Sequence, residues 1–178
     1  MAIEIRSDTE KKPRIKVIGM PGKHVPTKTL QTLNDIVKAV PPTNGWMVEL
    51  GYDSKVSDFT PRYRIYISGD TLLVPELKEI AELYSGLTID LMLIHLGGTT
   101  IPSPKLSPMT VMVTMDANQG LELVRLIKPD LTIPIHYDDY DVFASTLEEF
   151  QHVIEQEGLK EKVVYLDRGD QYRFKVKK

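Results

Sequence analysis

The sequence contains no cysteine among its 178 residues. Without cysteine the chain cannot form disulfides, use a thiolate nucleophile or bind zinc through sulfur, so any metal ion must be held by histidine, aspartate or glutamate. Long apolar runs are also missing, and none approaches the roughly 20 residues of a membrane-spanning helix. The stretch Met1–Lys11 carries charges where a signal peptide has its apolar centre. We therefore expect a cytoplasmic protein with no membrane span.

An excess of positive charge is absent as well. The formal net charge is -3 and the isoelectric point is about 5.8, which argues against nucleic acid as a partner because phosphate binding needs a basic surface. Hydrophobic residues make up 42% of the chain and charged residues 26%, as is ordinary for a globular protein. The length predicts one domain that spans residues 1–178.

Apolar patterns predict strands that alternate with helices, which is typical of α/β folds. The predicted strands are Arg14–Ile18, Trp46–Tyr52, Tyr63–Ile67, Ile89–Ile94 and Leu131–Ile135. The predicted helices are Lys28–Val40, Pro75–Tyr84, a segment capped by Asp116 that reaches Ile127, and a segment with a capping box at Ser145–Glu148 that ends at Gly158. Two terminal elements are also expected, a short strand at Ala2–Ile5 and a hairpin that pairs Val163–Leu166 with Tyr172–Val176.

Polar side chains follow several of these strands, at the point where strand ends open onto loops in α/β folds. His24, Asp70, His95 and His136 occupy such loops. Imidazoles and carboxylates are the ligands that zinc, iron and manganese accept when no thiolate is available. This distribution favours a metal site, with Asp70 and His136 as its central pair.

Each of these four side chains also has an ordinary structural interpretation. His24 is compatible with a solvated loop residue, and Asp70 with a carboxylate that caps the following helix or accepts backbone hydrogen bonds in its own turn. His95 is compatible with a buried, hydrogen-bonded histidine, and His136 with a histidine paired to a neighbouring carboxylate. The residues are dispersed along the chain, so their spacing alone does not distinguish a metal site from these structural roles. The remaining histidine, His152, is interpreted as a residue on a helix surface.

Four runs of residues around these side chains form a pattern. The runs are Ser68-Gly69-Asp70-Thr71, Leu93-Ile94-His95-Leu96-Gly97-Gly98-Thr99-Thr100-Ile101-Pro102, Val113-Thr114-Met115-Asp116-Ala117 and Ile133-Pro134-Ile135-His136-Tyr137-Asp138-Asp139-Tyr140. In this order they resemble the metallo-β-lactamase-fold hydrolases, most closely the lactonase-like and phospholipase D-like branch. The resemblance extends from about Arg14 to the C-terminus. It implies an αββα sandwich with a dinuclear metal site at one edge.

The resemblance also implies roles for individual residues. Asp70 matches the family's metal-bridging aspartate, His136 its last histidine ligand and His24 its middle histidine ligand. Zinc is the expected divalent ion, with manganese and iron as alternatives. We expect Asp70 and His95 to be catalytic, His95 by orienting the substrate or acting as a general acid; a purely structural His95 is the alternative.

The implied reaction is a hydrolysis of a small-molecule substrate. A metal-activated water attacks an ester, lactone, phosphodiester or amide while the metal stabilises the developing negative charge. Asp138 or Asp139 is expected to orient His136 by accepting a hydrogen bond from its ring.

One part of the family's pattern does not occur in this sequence. The H-x-H-x-D-H loop, which supplies most of the metal ligands, has its natural position upstream of Arg14. The chain therefore resembles the C-terminal portion of such a hydrolase, with the N-terminal strands of the sandwich missing. His24, Asp70 and His136 are expected to form a single three-ligand site. The alternative is a non-catalytic remnant of the fold that binds a partner or forms oligomers.

Missing strands also imply an uncovered sheet face. Trp46, Val48, Leu50, Ile65 and Ile67 are expected to lack their usual neighbours. Contiguous apolar surface of this kind is unusual on a monomer, and its burial is favourable. We therefore expect a homo-oligomer, or marginal stability of the isolated chain.

Overall fold

The computed structural model describes residues 12–25, 32, 40–53, 59–101, 110–138 and 141–176. The predicted strand Ala2–Ile5, all but two residues of the predicted helix Lys28–Val40, and Asp139 lie outside the described residues. The single domain over residues 1–178 stays a prediction. A helix long and apolar enough to cross a membrane does not occur in the described part of the chain.

Seven strands form two sheets in the described part of the chain. They are β1 (Lys12–Met20), β2 (Gly45–Asp53), β3 (Pro61–Ile67), β4 (Leu91–His95), β5 (Thr100–Ile101), β6 (Val111–Met112) and β7 (Leu131–Ile135). The main sheet has the order β1-β2-β3-β4-β7, while β5 and β6 form a separate pair that the sequence patterns did not predict. Within the main sheet β1, β2 and β3 pair in antiparallel fashion, and β3, β4 and β7 run parallel. The five strands of the main sheet confirm the five predicted strands.

Three α-helices have both ends within the described residues: α1 (Lys78–Leu83), α2 (Ala117–Ile127) and α3 (Leu147–Gln156). A 3-10 turn at Pro75–Leu77 leads into α1, since proline suits the first turn of a helix. Asp116 caps α2 as predicted, and its Oδ1 accepts a hydrogen bond from the Gln119 amide at 2.8 Å. These three helices confirm three of the four predicted ones, and the fourth, Lys28–Val40, lies almost entirely outside the described residues.

The capping box of α3 lies one residue further along the chain than predicted. Thr146, not Ser145, is the N-cap residue, and the side chain of Glu149 completes the box. The Ser145 hydroxyl instead donates to the Glu149 carboxylate at 2.8 Å and accepts from the Ala117 amide at 3.0 Å. Ser145 therefore joins the start of α3 to the start of α2, a tertiary role that the local pattern does not reveal.

The helices cover one face of the main sheet and form the core with it. Fully buried residues of this core are Met47, Tyr66, Met92 and Ile94 from the strands and Leu123, Phe150 and Ile154 from the helices. They alternate along the strands and recur every three or four residues along the helices, which is how each element turns one face inward. This arrangement of a mixed sheet with helices is the predicted α/β class.

The opposite face of β1, β2 and β3 consists of residues without charge, and we call it the open face. Its members are Pro13, Ile15, Val17, Gly19, Trp46, Val48, Leu50, Tyr52, Tyr63, Ile65 and Ile67. Ile15, Val17 and Trp46 expose 37%, 42% and 44% of their surfaces. Of the five residues predicted to lack neighbours, Trp46 is exposed and the other four are half-buried.

The predicted C-terminal hairpin is wrong. Val163 forms a parallel bridge to Thr132 of β7, and the Val164 amide donates to the Thr132 carbonyl at 2.9 Å. Residues 164–176, all of which the structure describes, form no strand. The edge of the main sheet thus takes up Val163 and Val164, the first two residues of the expected hairpin. Phe174 instead stacks on Tyr63, with the ring centroids 4.6 Å apart.

Candidate metal centre

Three of the predicted site residues meet at the carboxyl ends of the parallel strands. Asp70 lies three residues beyond β3, His95 is the last residue of β4, and His136 follows β7 directly. His95 and Ile135 are partners in the parallel register of β4 and β7. The ends of these strands therefore lie level at one edge of the sheet, the usual position of a site in such folds.

The carboxylate of Asp70 lies between the two imidazoles. Its Oδ1 is 4.0 Å from Nε2 of His95, and its Oδ2 is 3.8 Å from Nε2 of His136. The two imidazole centroids are 5.7 Å apart. Because a hydrogen bond requires a shorter distance, the three side chains face one another without bonding directly. The side chain of Asp70 is 39% exposed, so the group is open to solvent.

The turn that carries Asp70 is held by a buried serine. The Ser68 hydroxyl accepts a hydrogen bond from the His95 amide at 2.9 Å and donates to the Gly69 carbonyl at 3.0 Å. Gly69 has a φ of +65°, and a Cβ there would lie 2.4 Å from the Asn44 carbonyl oxygen. Glycine is thus required at this position, and the turn presents Asp70 in a defined direction.

His95 is oriented by the same serine. Its Nδ1 lies 3.4 Å from the Ser68 hydroxyl oxygen. If the Ser68 hydroxyl donates to the Gly69 carbonyl, the matching tautomer of His95 donates from Nδ1 to the Ser68 oxygen and turns the Nε2 lone pair toward Asp70. Burial is the largest influence on this group and lowers the pKa of His95; the Asp70 carboxylate opposes the effect, and His136 adds to it. The neutral imidazole therefore dominates at neutral pH.

His136 combines a strained backbone with a fixed ring. Its φ of +60° lies in the left-handed region, which costs a non-glycine residue about 1–2 kcal/mol. Its Nδ1 donates to the Leu96 carbonyl at 3.3 Å, and its ring lies at 82° to the Phe143 ring with the centroids 5.1 Å apart. These contacts turn Nε2 toward Asp70. Backbone strain of this kind persists where several surrounding contacts hold the residue in place, and it is frequent at functional sites.

The prediction that Asp138 orients His136 is wrong. Asp138 pairs with Arg168 at 3.0 Å, and the ring of His136 uses the Leu96 carbonyl instead. The reason is geometric: the left-handed turn at His136 directs its ring toward the loop after β4, whereas Asp138 reaches the exposed C-terminal segment. Asp139, the alternative, lies outside the described residues.

A glycine in the loop after β4 allows this loop to lie directly against His136. Gly97 has a φ of +95°, and a Cβ there would lie 2.5 Å from the Phe143 ring and 2.8 Å from the His136 carbonyl oxygen. The Ser145 amide donates to the Gly97 carbonyl at 2.9 Å. No side chain fits between these groups, so the close approach of the two loops depends on glycine.

His24 has a different surrounding. Its Nδ1 donates to the Val113 carbonyl at 2.9 Å. The carbonyl of the preceding residue, Lys23, accepts a hydrogen bond from the Leu72 amide at 2.8 Å. The Lys23 amide donates a hydrogen bond to the Thr71 hydroxyl, also at 2.8 Å. The loop of His24 is therefore attached to the turn of Asp70 through neighbouring residues.

The fit of these residues to a metal ion is partial. Nε2 of each imidazole faces the Asp70 carboxylate without a hydrogen bond, and imidazole nitrogen and carboxylate oxygen are groups that bind a divalent cation together. Within the described residues, however, no three or more His, Cys, Asp or Glu side chains are arranged to hold a metal ion. The structure thus brings Asp70 and His136 together, adds His95 to them, and does not assemble His24, Asp70 and His136 into a three-ligand group. The predicted ligand set stays a prediction.

Three supporting groups were not anticipated from sequence: the Ser68 hydroxyl, the Leu96 carbonyl and the Phe143 ring. Ser68 lies directly before the Gly69-Asp70 turn, which is a signal that a buried hydroxyl serves that turn. The other two groups give no local signal, because a backbone carbonyl is invisible in a sequence and Phe143 lies in a different loop from the ring that it touches.

A cavity of about 350 Å³ lies beside the same loops, at the starts of α2 and α3. Asp116, Glu149 and His152 are among its lining residues. The two carboxylates already accept helix-capping hydrogen bonds. His152 is exposed on α3, which confirms its interpretation as a surface residue.

Comparison with known proteins identifies relatives of this chain. No family model matches it. A UPF0173 metal-dependent hydrolase of Methanopyrus kandleri is 32% identical over 108 residues, which cover 61% of this chain and 40% of the relative. The chain spans about half the length of the curated relatives it matches, between 40% and 54% in the examples compared.

Solved structures share the fold. An isothiocyanate hydrolase from Delia radicum gut bacteria has a TM-score of 0.66 at 14% identity, covering 91% of this chain and 54% of that protein. A metallo hydrolase from Ignicoccus hospitalis has a TM-score of 0.58 at 22% identity, covering 90% of this chain and 54% of that protein. The chain is therefore similar in sequence to proteins named metal-dependent hydrolases and has the fold that these two hydrolase structures share.

Proposed function

We propose that this chain supplies the C-terminal part of a metal-dependent hydrolase. In this proposal Asp70 and His136 are metal ligands, His24 is the third ligand predicted from sequence, and His95 with Asp70 forms the catalytic pair. The observation that carries the proposal is the convergence of two imidazole Nε2 atoms on one carboxylate, at 3.8 Å and 4.0 Å. The relatedness to proteins named metal-dependent hydrolases supports it.

The chemistry follows from the protonation of these groups. A bound divalent ion lowers the pKa of a water molecule and polarises the bond to be cleaved. His95 is neutral at neutral pH because burial lowers its pKa, so it is suited to accept a hydrogen bond from water or substrate rather than to act as a general acid. Asp70, held by its turn, supplies the negative charge that retains a cation at this edge.

The substrate and the ion are further parts of the proposal. Ester, lactone, phosphodiester and amide bonds of small molecules are the substrates that the sequence pattern implies. Zinc is the proposed ion, with manganese and iron as alternatives, because the available ligands are imidazole and carboxylate. A cytoplasmic location, a homo-oligomeric state and the absence of nucleic acid from its partners stay predictions of the sequence.

A second candidate is a non-catalytic protein with a hydrolase fold. The observation that favours it is the lack, among the described residues, of any group of three side chains arranged to hold a metal ion. In this case Asp70, His95 and His136 would be a remnant, and the chain would act through binding or self-association.

Zinc titration by calorimetry separates the two candidates. We expect the wild-type chain to bind at most one zinc ion per chain, and Asp70→Asn to weaken that binding at least roughly 10-fold because it removes the charged ligand. Asp90→Asn is the matched control, since Asp90 accepts the Arg64 amide at the other end of the sheet and its replacement should leave zinc binding unchanged.

Two outcomes would count against the hydrolase proposal. Absence of zinc binding by the wild-type chain would favour the non-catalytic protein, as would equal affinities for the wild type and Asp70→Asn. If zinc binds as expected, hydrolysis of chromogenic ester, lactone and phosphodiester substrates by the zinc-loaded chain, and its loss in Asp70→Asn, would identify the bond that is cleaved.

A further inference from the structure

Both imidazoles of the candidate metal centre are held in the same way. Nδ1 of His95 lies 3.4 Å from the Ser68 hydroxyl oxygen, and Nδ1 of His136 lies 3.3 Å from the Leu96 carbonyl oxygen. Each ring therefore has Nδ1 beside a protein oxygen and Nε2 toward Asp70. Histidines that bind a metal ion through one ring nitrogen almost always have the other nitrogen in such a contact, because it fixes the tautomer and the orientation of the ring.

The carboxylate of Asp70 presents one oxygen to each imidazole. Its Oδ1 is 4.0 Å from Nε2 of His95, and its Oδ2 is 3.8 Å from Nε2 of His136. These separations are too long for hydrogen bonds, so direct bonding does not explain why the three groups approach one another. Ligand atoms about 2.1 Å from a tetrahedral zinc ion lie roughly 3.4 Å apart, so the observed separations are wider by only about half an ångström.

The movement that closes this difference falls mainly on Asp70. Its side chain is 39% exposed, compared with 19% for His95 and 30% for His136, and the carboxylate torsion of an aspartate is broad. Without that movement, no group of three His, Cys, Asp or Glu side chains in the described part of the chain is placed to hold a metal ion. The two rings are already oriented by their Nδ1 contacts, so the required adjustment is small.

His24, the third ligand expected from the sequence, does not belong to this group. All four histidines of the chain lie among the described residues, so the structure gives the position of every imidazole. The ring of His24 is also held by a carbonyl, that of Val113 at 2.9 Å. Within the described structure, however, the histidines that pair with Asp70 are His95 and His136. The third imidazole nearest to completing a ligand set is therefore not that of His24.

We propose that His95, and not His24, is the third protein ligand of the metal ion. With Asp70 and His136 it completes a site of two imidazoles and one carboxylate. The same set of donors occurs in catalytic zinc sites, where it leaves a further position for water or substrate. His95 can take this role only if the chain binds a divalent ion, so the inference rests on the proposed function. It replaces the catalytic role that the sequence led us to expect for His95.

Nuclear magnetic resonance of the histidine rings tests this ligand set in the wild-type chain. Zinc added to protein labelled with 15N in histidine should shift two Nε2 signals, those of His95 and His136, since zinc binds histidine through a ring nitrogen. The Nε2 signals of His24 and His152 should stay unchanged. Because the chain has only four histidines, single glutamine variants assign each signal by its disappearance.

Zinc titration by calorimetry provides a second test with matched variants. His95→Gln should weaken zinc binding at least about 10-fold, because it removes a protein ligand. His24→Gln should leave the zinc affinity unchanged, as should His152→Gln, the control at an exposed residue of α3. Circular dichroism establishes that each variant is folded. If His95→Gln does not fold, the ring signals of the wild-type chain still decide.

Two results would overturn the inference while zinc binding, and with it the proposed function, stands. The first is a zinc-dependent shift of the His24 signal without a shift of the His95 signal, which would restore the ligand set expected from the sequence. The second is an equal zinc affinity of the wild type and His95→Gln. A wild-type chain that binds no zinc would overturn the inference together with the proposed function.

Discussion

Because the backbone at His136 is left-handed, we predict that glycine is a more stable replacement than alanine at this position. In most positions the order is the reverse. His136→Gly and His136→Ala both remove the imidazole, and with it the hydrogen bond to the Leu96 carbonyl and the packing on Phe143. The two variants therefore differ only in the conformational preference of the backbone at a φ of +60°.

The magnitude follows from two opposing effects. Glycine loses more conformational freedom on folding than alanine, and in an ordinary position this makes it less stable by about 0.5–1 kcal/mol. In the left-handed region alanine carries a steric cost of roughly 1–2 kcal/mol that glycine does not. We therefore expect His136→Gly to be more stable than His136→Ala by about 0.5–1 kcal/mol.

Urea unfolding followed by circular dichroism measures this difference as a shift in the midpoint. A difference of about 1 kcal/mol corresponds to roughly 2–4 °C in melting temperature for a chain of this size, so thermal unfolding gives an independent value. Both variants should lose the zinc binding proposed for the wild type, since both lack the imidazole.

Glu122 provides the control, because it lies within α2 and its side chain is 53% exposed. Glu122→Ala should be more stable than Glu122→Gly by about 1 kcal/mol, the ordinary helix preference. If alanine is also the more stable replacement at His136, the left-handed strain described above does not exist in the folded protein.

Three further predictions concern the supports of the fold. Gly97→Ala should destabilise the chain by about 2–3 kcal/mol, since its Cβ would lie 2.5 Å from the Phe143 ring; Gly86→Ala, with a similar φ of +76° and nothing within 4 Å of the added Cβ, should cost less than half of that in thermal unfolding. Lys128→Gly should stabilise the chain by about 1 kcal/mol in urea, because Lys128 ends α2 with a φ of +52°; a loss of stability would contradict this. Thr146→Ala should destabilise it by about 1 kcal/mol through loss of the capping box, and an unchanged urea midpoint would show that the box contributes nothing.

The main sheet and the position of the site could be predicted from the sequence because their signals are local. Alternation marks Tyr63–Ile67, a nearly continuous apolar run marks Ile89–Ile94, and Gly69 before Asp70 marks the turn at a strand end. The edge at which Asp70, His95 and His136 meet follows from the parallel arrangement of the strands. The apolar periodicity was sufficient to predict an element wherever the residues of that element alone determine its structure.

The failures occurred where a distant group competed with a local pattern. The C-terminal hairpin lost its backbone partners to Thr132 at the edge of β7. The local pattern at Ser145 is that of an N-cap residue, but its hydroxyl bonds the start of α2. Asp138 is close to His136 in sequence, but it pairs with Arg168. In each case the deciding partner lies far along the chain, so no short-range pattern contains it.

The central claim is that His136 and its neighbours bind a divalent ion, and X-ray absorption at the zinc edge of the zinc-loaded chain tests it most directly. We predict imidazole nitrogen at about 2.0–2.1 Å together with carboxylate or water oxygen. One imidazole should disappear from the zinc shell in His136→Gln, whereas the spectrum should be unchanged in His152→Gln, a control at an exposed helix residue. A zinc shell that is identical in the wild type and His136→Gln would contradict the account.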